Sequence, residues 1–91
     1  MVDIEFVRKV AEACCPMMCS VVVRKESWGR IYAEFSALVD GRHFVEGVTV
    51  GDQWTDCERE AGEAIAGASV SLVRRWMHSR LDAVLRGDEE K

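Results

Sequence analysis

Cys14, Cys15 and Cys19 crowd around Pro16, the one proline of the chain, with Met17 and Met18 beside it in the stretch CCPMMC. No other segment has residue types and spacing that point so directly to chemistry. Tetrahedral zinc takes four Cys or His ligands, often as two close pairs. Cys14 or Cys15 with Cys19 supplies one pair, but the second must come from Cys57, His43 and His78, which are scattered. Copper(I) accepts thiolates and thioethers together, so Met17 and Met18 keep a thiol or metal site open as a third functional reading. There is no C-x-x-C redox motif. A structural role is simpler. Cys14 falls on the apolar face of a first helix, Pro16 ends that helix, and Cys19 opens the buried face of a first strand. Cysteine and methionine are good small or adaptable core residues. No metal and no cofactor are expected.

The histidines carry less. His43 falls beside a turn and His78 on an arginine-rich helix, neither close to a Ser, Cys or Asp in a catalytic motif. There is no phosphate loop, no dinucleotide fingerprint and no H-E-x-x-H. An enzyme is not expected.

The elements that must position these residues follow from size and periodicity. Ninety-one residues make a single domain, 1–91, and the composition is that of an ordinary globular protein, 48% hydrophobic and 31% charged. The opening MVDIEFVRKV is amphipathic and lacks an apolar signal core, and no apolar run reaches the ~20 residues of a membrane span. A cytoplasmic protein with reduced thiols and no membrane contact is expected. The net charge of −4 disfavours general attraction to nucleic acid.

Residues 3–15 read as a helix capped by Asp3, with Ile4, Val7, Val10, Ala11 and Cys14 at helical spacing. The period then changes to two, and strands are expected over 19–26, 30–39 and 42–50, separated by SWG and DG. Asp40-Gly41 suits a two-residue type I′ turn that pairs Val39 with Arg42. The SWG loop, with Gly29 left-handed, pairs Glu26 with Arg30. Both turns put Cys19, Val21, Val23, Ile31, Ala33, Phe35, Ala37, Val39, Phe44, Val48 and Val50 on one face. Lys25 and Glu46 also fall there. Lys25 can snorkel out at the strand end, and Glu46 signals either a bulge at Gly47 or a partner such as Arg74. From about Gln53 to Arg86 the pattern is helical again, with Asp52 or Thr55 as cap, Thr55 and Glu58 as a capping box, and Gly87 as stop. Residues 88–91 read as a frayed tail.

The expected fold class is therefore α+β, in the order αβββα: a three-stranded antiparallel meander with both helices on one face. That order resembles the double-stranded-RNA-binding domain. The resemblance implies a lysine-rich start to the second helix as the main phosphate contact. Here that segment is DQWTDCEREAGE, with Asp52, Asp56, Glu58, Glu60 and Glu63 against Arg59. No RNA-binding residue carries over.

A second helix of this length would run about 50 Å, against about 30 Å for the strands. Either it bends near Gly67 or its distal half overhangs the sheet. Leu72, Val73, Trp76, Met77, Leu81, Val84 and Leu85 form a broad apolar stripe there, and the small residues of AIAGASVSLV permit close approach of another chain. A homodimer through that stripe is expected. Trp28 at a hairpin tip, with Arg24, Arg30 and Tyr32, and the acidic Asp56, Glu60 and Glu63, are the candidate partner-binding residues. Trp54 and Trp76 read as packing residues. The expected function is a small non-enzymatic interaction domain that binds a larger protein. In size and charge it is similar to small acidic inhibitors of phage origin, anti-CRISPR proteins among them. The alternative is a nucleic-acid-binding module using Arg24, Arg30 and Tyr32 on the open sheet face.

Overall fold

The computed structural model describes residues 2–51 and 57–87. The expected caps Asp52 and Thr55, the residues Trp54 and Asp56, and the tail 88–91 lie outside them. Helix α1 spans Ile4–Cys14, and the Asp3 side chain accepts a hydrogen bond from the Phe6 amide, as an N-cap should. Cys15 is already extended, because Pro16 denies it the helical region. Strands β1 (Cys19–Lys25), β2 (Ile31–Val39) and β3 (Arg42–Val50) form an antiparallel sheet in the order β1-β2-β3. Helix α2 spans Glu58–Arg86 and ends at Gly87, whose left-handed backbone lets its amide reach the Ala83 and Val84 carbonyls. The α+β order αβββα is thus present.

Turn chemistry sets the register. Asp40 and Gly41 both have positive φ, 53° and 77°, and Val39 pairs with Arg42. At the other tip the Glu26 amide bonds the Arg30 carbonyl. The register carries Ile31, Ala33, Phe35, Ala37, Phe44 and Val50 into the core, where Val7 and Ala11 of α1 and Ala61, Ile65, Ala68 and Leu72 of α2 meet them. No bulge interrupts β3: Phe35 pairs with Glu46 and Glu34 with Gly47 in unbroken succession. The glycine has another cause. A side chain at position 47 would overlap the Tyr32 hydroxyl, because the Tyr32 ring crosses the open face above it. Glu46 does face the helices, but its partner is Arg75 rather than Arg74, at 2.7 Å.

Helix α2 is shorter at its start than its sequence pattern suggested, beginning at Glu58 with Cys57 at the cap position and no side-chain cap bond. It runs unbroken past Gly67. At 29 residues it is about 43 Å long, still longer than the ~30 Å of a nine-residue strand. The overhang is smaller than expected, because the second hairpin follows the helix. Arg75 Nη1 donates to the Val45 carbonyl at 2.7 Å, Arg42 Nη1 to Ser79 Oγ at 2.9 Å, and Arg80 pairs with Asp40 at 3.8 Å. Only residues 81–86 pass beyond these contacts.

Gly47→Ala is expected to cost about 1–3 kcal/mol by overpacking against Tyr32. Chemical denaturation should show most of that cost gone in a Tyr32→Ala background, since the clash needs both partners.

Candidate interaction site

Four of the predicted site residues lie on or next to the open face of the sheet, and three of them are engaged within the chain. The Arg24 guanidinium stacks 4.6 Å from the centre of the Tyr32 ring and meets Glu26 at 3.4 Å. The Tyr32 hydroxyl donates to Glu34 at 2.8 Å. That hydrogen bond, with some burial and the Glu34 charge, holds the phenol above its ordinary pKa. Arg30 Nε turns back to the Ser27 carbonyl. The face therefore interleaves two arginines with Glu26 and Glu34, and its Tyr32 ring is already covered by a guanidinium. Stacking platforms for single-stranded nucleic acid need a bare ring and a surplus of positive charge; the Tyr32 ring is not bare, and the two arginines are matched by Glu26 and Glu34.

Trp28 is different. Its ring is 89% exposed at the first hairpin tip, and its backbone is left-handed, φ 66° and ψ 30°. Gly29 was the expected left-handed residue and is so, but Trp28 precedes it in the same region. A bulky side chain there costs about 1–2 kcal/mol. That backbone closes the hairpin turn, but the ring is not among the side chains packed against the core. Glu60 and Glu63 are exposed on the first turns of α2.

Three of the four cysteines behave as packing residues, and the fourth, Cys57, is exposed. Cys14, Cys15 and Cys19 are half-buried and pack against the core. Cys15 Sγ donates to the Cys19 carbonyl at 3.4 Å, closing the α1–β1 turn. Burial raises the pKa of both Cys15 and Cys19, and proximity to Cys15 raises Cys19 further. Metal ligation and nucleophilic use both need the thiolate, so these shifts run against the third reading. Met17 and Met18, by contrast, are exposed in the turn. Among the described residues no three His, Cys, Asp or Glu side chains converge as metal ligands do.

The predicted dimer stripe divides in two. Leu72 is fully buried in the core, and Val73 and Trp76 are half-buried, Trp76 packing against the core, so Leu72 offers no surface to a second chain. Part of the charge-free small segment has the same destination, while its Gly67 stays exposed. Ala61, Ala68 and Ser69 face inward, and Ser69 Oγ donates to the Cys14 carbonyl at 2.6 Å, satisfying the C-terminal end of α1. What remains outside is Met77, Leu81, Val84 and Leu85, and with them Val70, which the sequence reading missed. A sharper phase on α2 would have found it. Ala61, Ile65, Ala68, Leu72 mark the core side at helical spacing, and Val70 lies opposite.

Comparison of the chain with protein-family models, with curated proteins and with solved structures gave no match in any of the three. The topological likeness to the double-stranded-RNA-binding domain therefore stands on element order alone. No helix among the described residues is long and apolar enough to cross a membrane.

Two outcomes follow. Trp28→Gly should raise stability by up to about 1 kcal/mol, relief of left-handed strain outweighing the added unfolded-state entropy; thermal unfolding reads this directly. Under native conditions near neutral pH, iodoacetamide should label exposed Cys57 well before Cys15 and Cys19, a ranking that peptide mass mapping checks.

Proposed function

We propose that this chain is a non-enzymatic protein-interaction domain that acts as a homodimer and binds a larger partner. The observation that carries this reading is the row of large apolar side chains on the outer side of α2: Val70, Met77, Leu81, Val84 and Leu85, from 51% to 74% exposed. Isolated exposed hydrophobics are ordinary, but five on one helix face make a contiguous patch of a kind that marks interaction sites. The Trp28 tip is the second contact surface, directed at the larger partner. A large ring held out of the fold at a backbone cost fits a hot-spot anchor. The side chains that these two surfaces present are apolar and aromatic, and such groups favour recognition. The role assigned is that of a small accessory or inhibitory protein in the cytoplasm, of the anti-CRISPR-like kind its size and charge resemble.

Multi-angle light scattering tests the dimer. Wild-type protein at up to about 100 µM should have twice the chain mass at its upper range, as expected for an interface near the lower limit of specific ones. Leu81→Glu should return it to the monomer with helical content kept. Leu72→Glu should instead unfold the protein, since it places a charge in the core. A wild-type monomer throughout that range rules the dimer out.

A further inference from the structure

The outer side of α2 has a regular seven-residue seam. Positions 60, 63, 67, 70, 74, 77, 81 and 84 recur at alternating spacings of three and four, and every one is exposed. The core-facing residues Ile65 and Leu72 lie on the opposite side of the same helix. Beside this seam Ser69 and His78 flank a shallow apolar depression bounded by Val70, Val73, Arg74 and Met77. Their spacing, i, i+3, i+4 and i+7, is that of the four-residue hole which receives one side chain of a facing helix.

We propose that two copies of the chain pair antiparallel along this seam, with Met77 of each seated in the depression of the other. The proposal rests on the dimer reading above and specifies its geometry. Seating Met77 opposite Arg74 of the second copy fixes every other layer. Val70 meets Leu81, and Gly67 meets Val84, each a pairing of a smaller with a larger residue. Nothing lies within 4 Å of a side chain built at Gly67, so the space beside it is open to the Val84 methyls. At the flanks Leu85 reaches Ala64, and Arg80 lies beside Val73, so no flanking pair sets like charges together. Methionine suits the central place because its unbranched chain adapts to an irregular hole. Arg74 is the one charged residue on the four central levels, and a polar residue there sets register at a cost in affinity. The five exposed side chains offer about 500 Å² per copy, so the pair buries about 1,000 Å², at the lower bound for a specific interface. The parallel arrangement would stack Arg74 on Arg74 and leave Gly67 facing Gly67. The antiparallel one also sets the two acidic helix starts about 50 Å apart at opposite ends. Each end carries its own Trp28 tip, so the dimer is bivalent.

Disulfide trapping in a Cys57→Ser background decides the geometry. The mixed pair Val70→Cys plus Leu81→Cys, on separate chains, should cross-link under mild oxidation and separate on reduction. Val70→Cys alone should not, because the two copies of position 70 lie about 16 Å apart along the pair. Cross-linking of Val70→Cys with itself would mean a parallel pair, and trapping of Gly67→Cys with Met77→Cys would mean a register shifted by one heptad. Either result overturns this geometry while the dimer stands. A monomer by light scattering, with no trapping at any site, removes the dimer and the geometry together.

Discussion

Val7 of α1, Phe35 and Val50 of the sheet, and Ile65 and Leu72 of α2 close on one another with no accessible surface. Full burial of each such side chain is worth roughly 1.5–3 kcal/mol, and these five join every element except β1, whose half-buried Val21 and Val23 complete the layer. Because the sheet has only one apolar face, both helices must share it. That requirement sets the rest of the molecule. It places α1 against α2, and it brings Ser69 beneath the end of α1 to bind the Cys14 carbonyl. It turns the opposite side of α2 to solvent.

The distal half of α2 is held by polar contacts instead. Arg75, Arg42 and Arg80 tie it to β3 and to the second hairpin. Ion pairs this exposed contribute about 0–1 kcal/mol each, so their chief effect is on direction rather than stability. Arg75 has a further consequence. By donating to the Val45 carbonyl it covers an outward-facing group on the edge strand β3, one of the ways sheets avoid edge-to-edge pairing. Helix α2 is thereby held against β3 and the second hairpin, with its outer stripe turned to solvent.

The open face of the sheet spends its side chains on itself. Tyr32 covers Gly47, Arg24 covers Tyr32, and Glu26 and Glu34 take up the charges and the hydroxyl. Groups that look in sequence like a basic, aromatic binding surface are satisfied once the strands pair. Large apolar side chains stay exposed on the α2 seam, at the Trp28 tip, in the Met17–Met18 turn and, on the open face itself, at Val22 and Leu38.

Local chemistry determined the elements by itself. Asp3 as cap, Pro16 as stop, Asp40-Gly41 as turn and period-two alternation each act within a few residues, so strand register and the buried face could be read before any coordinates. The destination of α2's residues was decided only by the tertiary structure. Its sequence is apolar over more than one face, and periodicity does not say which face the sheet will take. Leu72 looked like interface and is core; Val70 looked like neither and is exposed. Glu46 could be assigned to the apolar face from alternation, but choosing Arg75 over Arg74 needs the rotation of α2 about its own axis. Gly47 is the same case, since its reason lies in a tyrosine on the neighbouring strand, a contact no spacing along one chain segment encodes.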